Sequence, residues 1–251
     1  MSNPVLYSTQ SGVATISLNR PKRLNAINPE LLKTLHDAIQ AANDDDNVRV
    51  ILLRGQGRAF CAGDDLKEFD QQVGTESETR AYIENIQNIT RGLCLNKKMV
   101  VGAIHGWAVG GGLEWVINCD FVVMARTTRF FFPEISLGIF VTGGVTKLLV
   151  EQIGLSRARE MILLGEKYAA ADALRLGFDW RIVEDSQVFQ VGNDLAKRIT
   201  ALPVNPVRNL KRALRESSTL TLEQTLTLET KATVEGFLDP QSAELVRERL
   251  H

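Results

Sequence analysis

The chain of 251 residues is long enough for one large domain, or for one domain with an appendage, and its composition is that of a globular protein with a sizeable core. The formal net charge of -1 argues against a nucleic-acid or anionic-membrane partner. The lack of a basic leader and of an apolar run of about 20 residues predicts a cytoplasmic protein, and the scattered cysteines and histidines predict neither a disulfide framework nor a bound metal.

Apolar patterning in the first half alternates between strand and helix periodicity, which predicts an α/β core. Asn28 followed by Pro29 is typical of a capped helix start. The predicted elements are a hairpin over 4–9 and 13–19, strands over 48–53, 99–104 and 120–125, helices over 29–43 and 79–96, and a short helix that opens at the glycines 110–112.

The second half is predicted to be mostly helical, with one short strand at 180–183. The segment 202–206 contains two prolines and predicts a hinge. This divides the chain into a core of residues 1–201 and a terminal helical region of residues 202–251. The predicted helices span 143–153, 156–164, 169–176, 186–200, 206–216, 221–235 and 240–249.

Three segments contain residues suited to chemistry. Small residues in Phe60-Cys61-Ala62-Gly63-Asp64-Asp65-Leu66 would let the backbone approach a ligand, although a plain strand-to-helix turn capped by an aspartate is the alternative. The run 110–112 places N–H groups at a helix start, where they can hold a carbonyl oxygen that gains negative charge. A tight turn for close helix packing is the alternative here.

The third segment surrounds Glu134 with apolar residues, from Phe130 to Gly138. A buried carboxyl would have a raised pKa and could donate a proton, whereas an exposed glutamate after Pro133 would be unremarkable. Glu134 and Glu114, which follows the glycines, are the two candidate carboxyls. Two carboxyls beside a polarised carbonyl suit the movement of water and a proton across a conjugated double bond.

The sequence resembles that of the enoyl-CoA hydratase/isomerase (crotonase) family. The resemblance lies in IHGWAVGGGLEWVINCDF at 104–121, FCAGDDL at 60–66, NRPKRLNAINPEL at 19–31, PEISLG at 133–138 and the segment 154–183. It implies an α/β, ClpP/crotonase-like spiral of ββα units, in which residues 1–201 hold the coenzyme and catalytic sites. Residues 202–251 would then form a helical region for assembly into a homotrimer or a dimer of trimers.

The resemblance also implies roles for individual residues. The N–H groups of Ala62 and Gly111 would form an oxyanion hole for the thioester carbonyl, with Glu114 as the base toward water and Glu134 as the proton donor. Coenzyme A would arrive as part of the substrate, with no separate cofactor. The residues implied in coenzyme binding are Arg23, Ala26, Cys61, Asp64, Asp65 and Leu66, and the aromatic residues expected at an acyl pocket are Phe69, Trp107, Trp115, Phe132 and Phe140.

The expected reaction is hydration of a 2-enoyl-CoA. Double-bond isomerisation is an alternative, because a single carboxylate can move a proton, and dehydration of a specialised hydroxyacyl-CoA such as a carnitinyl thioester is another. A non-catalytic scaffold that binds acyl-CoA or RNA is a minor alternative. The substitutions at Asp64, Trp115 and 140–142, relative to the commonest family pattern, leave the acyl specificity open.

Overall fold

The computed structural model describes residues 3–68 and 74–248, except for the side chain of residue 243. Its larger sheet has the order β1-β2-β3-β4-β6-β9, and every strand pair is parallel except β1 with β2. These strands are β1 (Val5–Gln10), β2 (Val13–Leu18), β3 (Val50–Gly55), β4 (Met99–Ile104), β6 (Phe121–Ala125) and β9 (Arg181–Val183).

A smaller sheet of β5 (Trp107–Val109), β7 (Arg129–Phe131) and β8 (Tyr168–Ala169) has the order β5-β7-β8. The sequence analysis missed this sheet, because strands of two or three residues are too short to show periodicity. The smaller sheet matters for the site, because the Gly110 N–H donates to the Phe131 carbonyl and so fixes the turn before a helix.

Ten α-helices surround the sheets within the described ranges. They are α1 (Pro29–Asp44), α2 (Glu76–Cys94), α3 (Gly111–Ile117), α4 (Val145–Ile153), α5 (Leu155–Leu164), α6 (Ala173–Leu176), α7 (Val188–Thr200), α8 (Val204–Ser217), α9 (Leu222–Phe237) and α10 (Pro240–Glu248). The predicted cap of α1 is confirmed, since Asn28 Oδ1 accepts the Leu31 N–H at 2.9 Å. Short 3₁₀ turns cover 21–23, 134–137, 170–172 and 185–187.

The central strands of the larger sheet are buried on both faces, which explains their continuous apolar runs. Successive residues of β3 alternate between the two faces: Ile51 and Leu53 join the main core cluster, whereas Val50 and Leu52 pack in a second cluster with residues of α7. Among the helices of the described ranges, none is long and apolar enough to cross a membrane.

The terminal helices α8 to α10 are attached to the core mainly through α8. The buried ammonium of Lys211 donates to the Leu93 and Lys98 carbonyls and to Asp120 Oδ2, at 2.9, 2.7 and 2.7 Å. Helix α9 contains no buried residue, and large apolar side chains such as Phe237, which is 83% exposed, lie on the surface.

Candidate active site

A cavity of about 560 Å³ lies between α2, the first turn of α3 and the segment 139–142. One stripe of α2 forms a wall, because its lining residues recur at helical spacing. The lining residues from α2 are Thr79, Tyr82, Ile83, Ile86 and Gln87, and the others are Ile27, Asp64, Gly111, Glu114, Glu134, Ile139, Phe140, Val141 and Thr142.

Glu114 lies in the first turn of α3 and is only 1% exposed. The Thr142 N–H donates to its Oε1 at 2.8 Å, and the Thr142 hydroxyl donates to its Oε2 at 3.1 Å. Burial raises the pKa of Glu114, whereas the hydrogen bonds from Gly143 and Thr142 lower it. Because these donors stabilise the charged form, the carboxyl of Glu114 is suited to act as a base.

The loop that donates to Glu114 is itself held by the buried side chain of Asn118 and the half-buried side chain of Thr90. Asn118 Nδ2 donates to the Gly143 carbonyl at 3.0 Å, and the Thr90 hydroxyl donates to Asn118 Oδ1 at 2.8 Å. A Cβ at Gly143 would lie 2.7 Å from the Cβ of Glu114, so only glycine lets the loop approach this closely.

Glu134 begins the 3₁₀ turn that follows β7 and is 5% exposed. Its Oε2 has no hydrogen-bond partner among the described residues. Burial is the largest of the effects that together raise the pKa of Glu134 to about 8. The charges of Glu114 and Asp64 act in the same direction, and a hydrogen bond from its own backbone N–H acts against them. With this pKa the carboxyl holds its proton at neutral pH, so Glu134 is suited to act as an acid.

The two carboxyls thus line one cavity in different environments. Glu114 accepts hydrogen bonds that favour its charged form, whereas Glu134 Oε2 lies without a partner in an apolar surrounding. Burial raises the pKa of both carboxyls, but only Glu114 has donors from a neighbouring loop that offset this, and the difference favours Glu114 as the base and Glu134 as the acid.

The structure corrects one of the two predicted oxyanion donors. The Ala62 N–H donates to the Leu24 carbonyl at 3.0 Å, so it is not free to bind a substrate oxygen. Gly63 has a φ of +82°, and the next N–H, that of Asp64, has no acceptor in the described parts of the chain. The Gly111 N–H is the first of α3 and has no intrahelical acceptor. Asp64 and Gly111 both line the cavity.

Three of the residues expected to bind coenzyme form a connected cluster at the surface end of this region. Asp65 is buried. Its Oδ1 accepts from Arg23 Nη2 at 2.7 Å, and its Oδ2 lies 3.2 Å from Arg20 Nη1. Asp65 therefore positions the arginines, which corrects its expected role as a direct contact. Ala26 donates its N–H to the Arg23 carbonyl at 3.0 Å. The side chain of Leu66 is exposed. Contacts of Arg23, Ala26 and Leu66 with coenzyme remain predictions.

The expectation that Cys61 contacts coenzyme is wrong in this structure. Its side chain is fully buried, and its Sγ donates to the Asn25 carbonyl at 3.2 Å. Its N–H donates to the Trp107 carbonyl, and burial raises the pKa of its thiol to about 12. Cys61 is accordingly a packing residue, which is the usual role of a buried cysteine.

The aromatic residues expected at the acyl pocket are mostly elsewhere. Only Phe140 lines the cavity. Trp115 on α3 and Phe132 directly after β7 are both buried in the main core. Trp107 packs edge-on against Phe131 of the smaller sheet, away from the cavity lining. Phe69 lies outside the described residues.

The sequence analysis missed the contribution of α2 and of the loop at 142. Tyr82 and Ile83 belong to an ordinary amphipathic pattern, and nothing in that pattern distinguishes a cavity wall from a core-facing helix. Thr142 had one weak signal, namely its position in a segment that departs from the commonest family pattern.

Comparisons with known proteins agree with this geometry. A sequence model described as enoyl-CoA hydratase/isomerase matches residues 8–244. The chain is 33% identical to the 1,2-epoxyphenylacetyl-CoA isomerase of Escherichia coli (strain K12), over 90% of this chain and 87% of that protein. It is 30% identical to the short-chain-enoyl-CoA hydratase of Clostridium acetobutylicum, over 94% and 90%.

The fold is also similar to that of solved structures. The crystal structure of enoyl-CoA hydratase from Bacillus anthracis superimposes with a TM-score of 0.91 at 28% identity, and the match covers 97% of this chain and 95% of that one. The α/β spiral expected from the resemblance is confirmed, including the C-terminal helical region.

Proposed function

This chain belongs to the enoyl-CoA hydratase/isomerase family, with the crotonase fold, and we propose that it is an enoyl-CoA hydratase. The family acts on acyl-CoA thioesters. The proposed reaction is the reversible syn addition of water to a 2-enoyl-CoA, which gives a 3-hydroxyacyl-CoA. The observation that supports it best is the pair of buried carboxyls, Glu114 and Glu134, which line one cavity and differ in their hydrogen bonding.

In the proposed mechanism Glu114 takes a proton from water as the water oxygen forms a bond to C3. The electron pair of the double bond moves into the thioester, and the resulting enolate oxygen is held by the N–H groups of Asp64 and Gly111. Glu134 then donates its proton to C2. Loss of one such N–H donor typically lowers the rate by ~10²–10³.

The reverse reaction uses the same groups with exchanged roles. Ionised Glu134 removes the C2 proton of a 3-hydroxyacyl-CoA, and protonated Glu114 donates to the leaving hydroxyl. Coenzyme A enters as part of the substrate, and the proposal requires no other cofactor and no metal.

Double-bond isomerisation is the second candidate, because the family to which the chain belongs includes isomerases as well as hydratases. A single carboxyl with a raised pKa, such as Glu134, can move a proton between C2 and C4. Dehydration of a specialised hydroxyacyl-CoA is the hydratase reaction run in reverse on another acyl group. A non-catalytic scaffold would have no use for two costly buried carboxyls.

The test is the loss of enoyl-thioester absorbance with a panel of short, branched and aromatic 2-enoyl-CoAs. We expect hydration of at least one thioester by the wild type, and its loss in both Glu114→Gln and Glu134→Gln. Glu84→Gln, which removes an exposed carboxyl of α2, is the matched control and should remain active. Isomerisation of a 3-enoyl-CoA by an active Glu114→Gln variant, without hydration by any of the proteins, would replace the proposal with the isomerase alternative.

Assembly and location are part of the same proposal. We infer a homotrimer or a dimer of trimers, because α9 exposes apolar side chains such as Leu222, Val234 and Phe237 that a partner could cover. A cytoplasmic location is also proposed. Sedimentation of the purified protein tests the assembly, and a monomer at micromolar concentration would contradict it.

A further inference from the structure

The cavity contains a third carboxyl that the hydration mechanism does not use. The Tyr82 hydroxyl donates to Asp64 Oδ1 at 3.1 Å. No donor from the described residues contacts Asp64 Oδ2, although the residue lines the cavity beside Glu114 and Glu134. Its backbone N–H is a proposed oxyanion donor. Its side chain, which the family resemblance placed among the coenzyme-binding residues, takes no part in the hydration mechanism.

The surroundings of this carboxyl are unusual for a charged group. The lining residues include no lysine, arginine or histidine, and six of the fourteen are isoleucine, valine or phenylalanine. Burial raises the pKa of Asp64, and the Tyr82 hydrogen bond lowers it. Among the described residues, no group of three or more histidine, cysteine, aspartate or glutamate side chains is arranged to hold a metal ion. Neither a cation nor a metal site therefore accounts for the carboxyl.

A bound acyl chain changes the hydrogen bonding of the Asp64 carboxyl, and this change affects which acyl groups the cavity binds. Water can solvate Oδ2 while the cavity is empty, but a hydrocarbon chain that fills the cavity displaces that water and offers no hydrogen bond. A buried acceptor left without a partner opposes binding. An acyl chain with a donor at the right position would instead replace the displaced water.

We propose that Asp64, held in place by Tyr82, selects acyl groups that bear a hydrogen-bond donor such as a hydroxyl beyond the reacting carbons. This inference rests on the proposed function, since it takes the cavity as the acyl site. It names the acyl class that the sequence left open: hydroxylated acyl-CoA thioesters are preferred over hydrocarbon chains of the same shape.

The test measures binding of saturated thioesters, which have no double bond to hydrate, with freshly prepared ligands because hydroxyacyl thioesters form lactones on standing. Calorimetry compares 4-hydroxybutanoyl-CoA with pentanoyl-CoA, and 5-hydroxypentanoyl-CoA with hexanoyl-CoA, so that each pair differs only by a hydroxyl in place of a methyl group. We expect at least one hydroxylated member to bind wild type about tenfold more tightly, the gain typical of one hydrogen bond to a charged group. In Asp64→Leu the preference should invert, and in Asp64→Asn, which keeps the side-chain shape, it should fall to about threefold or less.

Gln87→Leu is the control, because it removes another polar side chain from the same wall, and it should keep the wild-type ratio. Equal binding within both pairs, or a preference that persists in Asp64→Leu, would overturn the inference. These outcomes are separate from those of the hydration assay. Hydration without a hydroxyl preference refutes only this inference, and a hydroxyl preference without hydration refutes only the proposed reaction.

Discussion

Replacing Glu134 with glutamine should stabilise the protein at alkaline pH while it removes activity. The carboxyl is 5% exposed, its Oε2 has no partner among the described residues, and its pKa is raised from 4.5 to about 8. The folded protein therefore keeps this proton up to about pH 8, whereas the unfolded chain releases it near pH 4.5. The stability that results is fully present below pH 4.5 and is lost as the pH rises through 8.

The magnitude follows from the two pKa values. At 1.36 kcal/mol per pH unit, the difference between 4.5 and about 8 corresponds to about 5 kcal/mol of folding free energy. Glutamine has nearly the same shape and does not titrate. The stability of Glu134→Gln relative to wild type should therefore increase by about 4 kcal/mol between pH 5 and pH 9.

Urea unfolding at several pH values, at one protein concentration, measures this difference. Glu84→Gln serves as the control, because its carboxyl is exposed and its relative stability should change little with pH. The reasoning is refuted if the free energy of unfolding of Glu134→Gln, relative to wild type, changes by less than about 1 kcal/mol across this range, since Glu134 would then titrate as an ordinary carboxyl.

Two further predictions concern the geometry around the carboxyls. Gly110→Ala places a Cβ 2.6 Å from Glu134 Oε1 at a φ of +52°, and should lower the hydration rate by ~10²-fold or more. The control is Gly138→Ala, which also lies at positive φ but has open space around its Cβ and should keep the wild-type rate. Equal rates in the two variants would contradict this prediction. Thr142→Val removes the hydroxyl that donates to Glu114 Oε2, so the pKa of Glu114 should rise. The acid limb of the pH profile of hydration should then move to higher pH. An unchanged acid limb would show that the hydroxyl does not affect the base.

Much of the fold could be predicted because long elements have strong periodicity. Strand β4 (Met99–Ile104) has the predicted bounds, and α1 begins at the predicted residue with the predicted cap. Helix α2 begins at Glu76, three residues before the predicted start, because Thr75 and Glu78 form a capping box that the pattern analysis did not use. The division at residue 201 stays a prediction.

The site was only partly predictable, because its chemistry depends on which backbone groups are already in use. The FCAGDDL segment indicated an oxyanion turn, but only the structure shows that Ala62 donates to Leu24 and leaves the N–H of Asp64 free among the described residues. Likewise Trp115 is an aromatic residue of the kind that often lines a pocket, yet its position on α3 places it in the core. Sequence spacing does not encode either outcome.

The most direct test of the proposed function is mass spectrometry of the product formed from a 2-enoyl-CoA in water labelled with both ¹⁸O and deuterium. A hydratase that uses Glu114 and Glu134 should place one labelled oxygen at C3 and one deuteron at C2, and neither Glu114→Gln nor Glu134→Gln should form this product. Deuterium at C2 or C4 without any labelled oxygen would show proton transfer alone, and would contradict the assignment of Glu114 as the base toward water.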